Sequence, residues 1–340
     1  MTSRTRPGCR CREWPEAGRL WRVAASDLES GAVIGRLAAW QAVGVYAFAS
    51  AVFLAAMGME AVAHAAAPLS EILPLSSRSV AEPGAELVAS VLRWRTATVL
   101  HLGTVVGGIG FGLVMFLQAW RTERAAALAI LGLAGVVGLG AWLIQLAGPT
   151  SYLVELVQVA RSDPAGVPPL AELVLLPKRV AEVAAGGVGV GLASVLVLPS
   201  NLSPSVLAAH VRQLRIMLYV SAAMLVAGVL LAQTAYAWAA ATFGVGEEWS
   251  GVVRHGTHLT AAFYTVVLAA AYIPASMHLS WWGERLADDA TSRDGGPDRD
   301  AVRRACGLSD ALTGQVLRLG AVVSPILSSA VPDLAQLIGG

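Results

Sequence analysis

The sequence has little charge for its length. Only 14% of its 340 residues are Asp, Glu, Lys or Arg, while 56% are hydrophobic, which gives a mean hydropathy of +0.62. Soluble globular domains carry about 25% charged residues, so this composition indicates a membrane protein. The formal net charge of +1 gives no electrostatic reason to expect nucleic acid as a partner. We therefore expect the lipid bilayer and other membrane proteins as partners.

Residues that the common catalytic signatures need are scarce or missing. Lys178 is the only lysine in the sequence and it follows a proline, so there is no phosphate-binding Gly-x-x-x-x-Gly-Lys loop. Three cysteines are too few for a disulfide framework, and the sequence has no His-Glu-x-x-His or Gly-x-Ser-x-Gly motif. These absences favour a protein that is not an enzyme, but they leave that question open.

Six long stretches of the chain contain no charged side chain. Each is longer than the roughly 20 residues that a helix needs to cross about 30 Å of hydrocarbon. They are 37–59, 96–120, 125–154, 183–211, 216–246 and 255–283. We predict an all-α, polytopic integral membrane helical bundle with about six transmembrane helices over residues 37–283. The fourth stretch is rich in glycine and is interrupted by Pro199, so it either crosses the membrane or is re-entrant.

The positions of the basic residues predict an orientation. If six helices cross and the N-terminus is inside, 17 of the 24 Lys and Arg residues lie on the inner side. The positive-inside rule then places both termini in the cytoplasm. Spans rich in alanine and glycine, together with the near absence of lysine, are typical of a GC-rich bacterial source. We therefore expect a multi-pass protein of the bacterial cell inner (plasma) membrane.

Polar segments divide the remainder of the chain. Residues 1–36 form an Arg-rich cytoplasmic leader that we predict to be disordered. Segments 60–95 and 148–182 are predicted outer loops with apolar residues at helical spacing. A polar linker follows at 284–308. The last segment, 309–340, has a charge-free core of 14 residues, which is too short to cross, and it predicts an amphipathic helix on the inner membrane surface.

Two histidines at matching predicted depth form the candidate site. His101 lies six residues past Arg95 and His258 lies four past Arg254, at the outer ends of the second and sixth spans. One hypothesis is that their rings bind a b-type haem or a metal between the two helices. The other is that each is a polar residue at the membrane surface, bonded to a loop or to a neighbouring threonine. The sequence therefore predicts no cofactor, with haem b as the alternative.

A stripe of small or polar residues follows each candidate histidine along one helical face. Surfaces that face lipid rarely carry so many such residues, so we predict that both stripes pack against protein. Glycines four residues apart allow two helices to approach closely. The predicted packing residues are Thr104, Gly108, Gly112, Thr265 and Tyr272.

No Asp or Glu lies inside the six charge-free stretches, which disfavours proton-coupled transport. Buried glutamines, such as Gln118 and Gln213, are instead predicted to join helices by hydrogen bonds. Three classes of function follow. The first is a non-catalytic scaffold, assembly partner or sensor. The second is a permease or channel subunit, which the glycine-rich fourth stretch favours, and the third is a membrane redox protein.

Overall fold

A computed structural model describes residues 29–66, 85–147, 185–243, 247–292, 297–308 and 312–330. Over these residues the chain is helical and has no strand. Five of the helices are long and apolar enough to cross a membrane. The prediction of an all-α membrane bundle is confirmed at this level.

The described helices vary widely in length. The five long ones contain the candidate membrane spans, and a single residue, Glu123, separates the second from the third. The helices are α1 (Glu29–Ala66), α2 (Ala85–Thr122), α3 (Arg124–Ala147), α4 (Ala185–Val195), α5 (Pro204–Phe243), α6 (Glu247–Thr291), α7 (Arg299–Ala305) and α8 (Leu312–Ser329).

The helices begin and end beyond the predicted spans. Helix α1 starts at Glu29, inside the predicted leader 1–36, and the first residues of α2 belong to the predicted outer loop 60–95. Helix formation continues past the apolar run there because Trp94 is buried against the bundle. The rest of the leader, the middle of the first loop and the whole loop 148–182 lie outside the described residues, so those predictions stay predictions.

Contacts between α2 and α5 show that the two helices are antiparallel. Trp94 of α2 stacks on Trp238 of α5, with 5.9 Å between ring centroids. At the other end of α2, the side-chain amide of Gln213 donates a hydrogen bond of 2.9 Å to Gln118. The two glutamines join the helices as predicted, but their bond is exposed and not buried as predicted. We call the two ends of the bundle the Trp94 end and the Trp120 end, after residues of α2.

Helices α5 and α6 are also antiparallel. Gly228 lies beside the ring of Tyr264, and Leu207 lies beside Gly283 near the Trp120 end. Helices α1 and α3 run in the same direction as α5. At the Trp94 end, Leu54 of α1 lies beside Gly140 of α3. Phe53 of α1 lies beside Phe263 of α6 at the same end.

The return path between α3 and α5 contains the short helix α4. Because α3 and α5 run in the same direction, the chain must return to the Trp120 end between them. The 11 residues of α4 extend about 16 Å, roughly half the hydrocarbon thickness. The fourth charge-free stretch, 183–211, is therefore not one helix. It contains α4, a non-helical segment of which residues 196–198 are buried, and the start of α5. The number of membrane crossings stays a prediction, because residues 148–184 lie outside the described part.

Ser203 and Pro204 set the start of α5. The Ser203 hydroxyl accepts a bond of 3.4 Å from the backbone N–H of Val206, and its carbonyl accepts one of 2.9 Å from Leu207. Serine is a favoured N-cap, and proline at the first helical position loses no backbone hydrogen bond. This start signal produces an uninterrupted helix of 40 residues.

The C-terminal helix α8 packs along α5 and α6. Towards the Trp94 end, the Ser329 hydroxyl lies 2.9 Å from Nδ1 of His258, while Arg318 and Tyr272 line one cavity nearer the Trp120 end. The 18 residues of α8 extend about 27 Å along the bundle. The prediction that segment 309–340 lies on the inner membrane surface stays a prediction, because residues 309–311 and 331–340 lie outside the described part. Along the contact with α5 and α6, polar side chains of α8 meet polar groups of the other two helices.

Much of the predicted polar linker, 284–308, is helical and ion-paired. Arg299 lies 3.1 Å from Glu284 and 3.0 Å from Asp288, and Arg303 lies 3.0 Å from Glu284. These pairs hold the short helix α7 against the end of α6. Directly after α7, Cys306 is fully buried.

Candidate functional site

His101 is buried against α5. Its side chain is 2% exposed, and a Cβ atom built on Gly228 would lie 3.4 Å from Cε1 of the ring. The ring approaches the backbone at Met224, but neither ring nitrogen has a hydrogen-bond partner of normal geometry among the described residues. The Thr104 hydroxyl donates to the His101 carbonyl at 2.8 Å, within the same helix. The imidazole of His101 therefore faces α5.

His258 has a different neighbour. Its Nδ1 meets the Ser329 hydroxyl of α8. On α6, His258 lies six residues before Tyr264, whose ring contacts Gly228 beside His101. The prediction that the two rings lie at similar depth stays a prediction.

The haem or metal hypothesis for this pair stays a prediction. In the described part of the chain, no group of three or more His, Cys, Asp or Glu residues is placed to hold a metal ion. The two histidines contact different helices, α5 and α8, in the contacts described above. An absorption spectrum of the purified protein tests the hypothesis directly.

His210 and His255 make hydrogen bonds with backbone carbonyls. Nδ1 of His210 donates to the Val195 carbonyl at 2.5 Å, where the end of α4 leaves carbonyl groups without helical partners. Nδ1 of His255 donates to the Gly251 carbonyl of its own helix at 2.7 Å. His210 therefore stabilises the break between α4 and α5, a role that its position in the sequence did not indicate.

The predicted packing glycines lie where α2 crosses α4. A Cβ atom at Gly112 would lie 2.5 Å from the Gly187 carbonyl oxygen, and one at Gly108 would lie 3.0 Å from Cγ2 of Val188. A larger side chain at Gly112 would require the two backbones to separate. The hydroxyl of Thr265, on the other predicted stripe, is buried and has no hydrogen-bond partner among the described residues.

A polar cavity of about 260 Å³ lies between α5, α6 and α8. Its volume is just below the roughly 300–1,000 Å³ of typical small-molecule sites, so it suits a small ligand. Tyr272, predicted as a packing residue, forms part of its wall. The polar side chains that line the cavity are Arg215, Tyr272, Ser276, Ser280, Gln315 and Arg318.

The cavity extends into the bundle from the Trp120 end. From Ser280 to Tyr272 it covers eight residues of α6, or about 12 Å. Arg215 lies eight residues past Leu207, which contacts Gly283, so its Cα is also about 12 Å inside that contact. Arg215 lies within the candidate membrane span Pro204–Trp238, and a charged residue inside a span is costly and usually marks a functional site.

Arg215 connects the cavity to the segment that follows α7. One Nη of Arg215 donates a hydrogen bond of 2.7 Å to the carbonyl of Gly307. Gly307 has φ +72°, in the left-handed region that glycine adopts without strain. The next residue, Leu308, belongs to the cavity wall. The turn after α7 is therefore fixed to the same arginine that faces the cavity.

A second cavity, of about 440 Å³, lies between α1, α3, α4 and α6. Its lining is apolar except for Tyr46 and Ser50. These two hydroxyl groups are few for a polar ligand. The cavity between α5, α6 and α8 is therefore the better candidate for specific recognition.

The sequence analysis did not single out the two arginines of the polar cavity. Arg215 was treated as the boundary of a charge-free stretch, and Arg318 as the boundary of an apolar core. The start signal at Ser203 and Pro204 was available in the sequence, and it places Arg215 three turns inside a helix. No sequence signal showed that Arg318 lies beside it.

No protein-family model matches the chain, and the comparisons with curated proteins and with solved structures give no match either. The site must therefore be interpreted from its own side chains. It combines positive charge with hydroxyl and amide groups, which suits binding of a polar ligand.

Proposed function

We propose that this protein is a non-catalytic, multi-pass membrane sensor in which α8 responds to a small ligand in the polar cavity. The observation that carries this proposal is the position of α8. The helix supplies Gln315 and Arg318 to the cavity and meets His258 through Ser329 towards the opposite end. A ligand in the cavity therefore contacts an element that extends about 27 Å along α5 and α6.

Helix α8 is the most peripheral wall of the cavity. Its side chains Val316, Leu317 and Leu319 are 60–65% exposed, whereas α5 is enclosed by α2, α6 and α8. A peripheral helix with one packed face can shift with less loss of core packing than a central one. A ligand that favours one position of α8 changes the population of that position by its difference in affinity.

The test of this proposal is hydrogen exchange of the full-length protein in lipid nanodiscs. Inorganic phosphate, glycerol and ethanolamine serve as anionic, neutral and cationic probes. We expect at least one probe to slow amide exchange in α8 about tenfold, while exchange in α3 is unchanged. If none of the three probes changes exchange in α8, the sensor proposal fails.

A permease or channel subunit is the second candidate. Helix α4 covers about half the hydrocarbon thickness, and broken helices of this kind frequently form transport sites. The two candidates differ in flux. A sensor in sealed liposomes binds the effective probe without transport, whereas time-dependent accumulation of the labelled probe supports the permease.

The proposed location is the bacterial inner membrane, with the Trp120 end in the cytoplasm and other membrane proteins as partners. The excess of arginine at that end supports the orientation. A reporter inserted between Gly295 and Gly296 should be active only in a cytoplasmic assay. A reporter after Gly340 tests the prediction that both termini are inside. Cytoplasmic activity supports that prediction, and periplasmic activity contradicts it.

A further inference from the structure

We infer that the apolar cavity between α1, α3, α4 and α6 holds one acyl chain of a membrane phospholipid. The lipid belongs to the leaflet at the Trp94 end, and its headgroup remains at the membrane surface. The described residues that line this cavity are different from those that line the polar cavity beside α8. The acyl-chain site is therefore independent of the sensor proposal.

The size of the cavity suits a hydrocarbon chain. Its volume is about 440 Å³. An apolar cavity of about 150 Å³ holds one benzene ring, so the larger volume accommodates roughly 15 to 20 carbon atoms. The lining follows α1 from Val45 to Met57, a length of about 18 Å. The cavity is therefore elongated along the helices, as an extended acyl chain is.

The depth of the cavity matches one leaflet of a bilayer. Its lining on α3 begins at Ala134, midway along the span Arg124–Ile144, and reaches Trp142 near the end of that span. On α1, Met57 lies close to the end of the span Ala38–Met59. Both spans end at the Trp94 end. Half of the hydrocarbon thickness is about 15 Å, so the cavity covers the depth of an acyl chain in that leaflet.

The walls of the cavity favour hydrocarbon over water. None of the described residues that line it is charged, and its two hydroxyl-bearing side chains, Tyr46 and Ser50, hydrogen-bond to each other. A water molecule in a cavity needs about two to four polar partners, which these walls do not supply. An empty cavity costs the lining atoms their dispersion contacts. An acyl chain restores those contacts and needs no polar partner.

The cavity is open to lipid between α3 and α4. Among its lining residues, Gly138 and Trp142 of α3 and Gly186 of α4 are exposed in the described part of the chain. Helix α3 contains a candidate membrane span, so its exposed surface meets lipid chains. A phospholipid can therefore place one chain in the cavity from the side without leaving the bilayer.

The test counts the phospholipids that stay bound to the full-length protein in mild detergent, by native mass spectrometry. The wild type should retain one phospholipid. Gly138→Leu should lower its occupancy tenfold or more, because the leucine side chain would occupy part of the cavity. Gly132→Leu is the matched control and should retain the lipid. Gly132 is also exposed on α3, and it is not among the residues that line the cavity.

A second variant and a cross-link keep the test independent of one substitution. Ala141→Phe fills the cavity from another position on α3 and should cause the same loss of lipid. Trp142→benzoylphenylalanine replaces one large aromatic side chain at the opening with a photoreactive one. Irradiation in nanodiscs of phosphatidylcholine should give an adduct with the mass of that lipid, and Gly138→Leu in the same chain should reduce its yield tenfold.

Four results would overturn the acyl-chain site. The first is a folded wild type that retains no phospholipid, and the second is retention of a lipophile without a phosphate headgroup. The third is equal loss of lipid in Gly132→Leu and Gly138→Leu, which would show that the lipid was bound to the outer surface. The fourth is an adduct with a peptide of this chain alone, which would show that the protein fills the cavity itself.

Discussion

Helices α5 and α3 run in the same direction through the bundle, but they have opposite surroundings. In the most apolar 18-residue stretch of α5, 56% of the residues are buried, compared with 11% in the corresponding stretch of α3. The more exposed span is the more apolar, with a mean hydropathy of 2.3 in α3 and 2.1 in α5. In this bundle, hydropathy therefore does not identify the central helix.

Polar contacts explain the difference. Lipid chains are as apolar as leucine, so apolar surface alone does not draw one membrane helix towards another. Helix α5 contributes Gln213 and Arg215 to hydrogen bonds with other parts of the chain. Helix α3 instead presents Leu131, Val136 and Leu139 outwards, each about half exposed or more. Close packing and hydrogen bonds therefore place α5 at the centre.

The largest loss of stability is expected at the crossing of α2 and α4, where the two backbones are in close contact. Gly112→Leu should destabilise the bundle by about 3 kcal/mol or more, because its side chain would overlap the backbone at Gly187. Thermal unfolding in nanodiscs measures the loss. Gly110→Leu is the control, because a Cβ atom there has no neighbour within 4 Å among the described residues. Equal destabilisation by both variants would contradict the assigned crossing.

A smaller effect should separate α5 from α3. Leu218 on α5 is fully buried, so Leu218→Ala should cost about 2–5 kcal/mol through the cavity that it leaves. Leu131 on α3 is 49% exposed, and Leu131→Ala should change stability by about 0.5 kcal/mol or less. Reversible unfolding of the two variants gives the difference. Similar losses would show that α3 is enclosed by a partner in the membrane.

The hydrogen bond between Gln118 and Gln213 should contribute less than either packing site. A double-mutant cycle with alanine at both positions should give a coupling of about 0.6 kcal/mol, and at most about 1.7 kcal/mol, as for other hydrogen bonds between membrane helices. The same unfolding measurement provides the four free energies. A coupling near zero would show that water or lipid replaces the bond at no cost.

The smallest loss of stability is expected at His101, where the variant should be neutral or stabilising. Its ring is buried, and its nitrogens have no hydrogen-bond partner among the described residues. Replacing it with an apolar ring of similar size removes the free-energy cost of burying these polar nitrogens. His101→Phe should leave stability unchanged or raise it by about 1–2 kcal/mol. Absorption spectra of the wild type and the variant are recorded together. A Soret band that is present in the wild type and absent in the variant would support the haem hypothesis instead.

The sequence was most informative where one physical rule acts on one stretch of chain. Length and lack of charge predicted six spans, since crossing hydrocarbon sets both requirements. Five of these stretches lie in long apolar helices of the described residues. The fourth stretch was harder, because its helix ends at Val195 and the next begins at Pro204, although both lie in one apolar run. Apolarity does not show where a helix stops, so the Ser203–Pro204 start signal was the better guide.

The candidate site depended on contacts between distant segments, which hydropathy does not report. Arg215 and Arg318 are 103 positions apart in the sequence. The sequence analysis used each of them only as the boundary of a stretch without charge. The prediction for helix α8 was made from its charge-free core alone. It did not indicate the contacts with α5 and α6, which supply a partner for Ser329 and a wall for the cavity beside Arg318.

Burial of Cys306 makes the reactivity of its thiol a measure of local opening. Burial, with a further contribution from the Glu284 carboxylate, raises the pKa of this thiol from its ordinary value of 9.0 to about 11. Thiols react as thiolates, and at pH 8 a thiol with that pKa is ionised in roughly one molecule in a thousand. A raised pKa means that the state in which α7 packs against the end of α6 favours the protonated thiol. This contribution to the stability of the packed state is complete below about pH 9 and is lost as the pH rises towards 11. When α7 leaves the end of α6, the thiol regains both access and acidity. With Cys9 and Cys11 replaced by serine, the alkylation rate of the native thiol therefore reports how often the tail detaches.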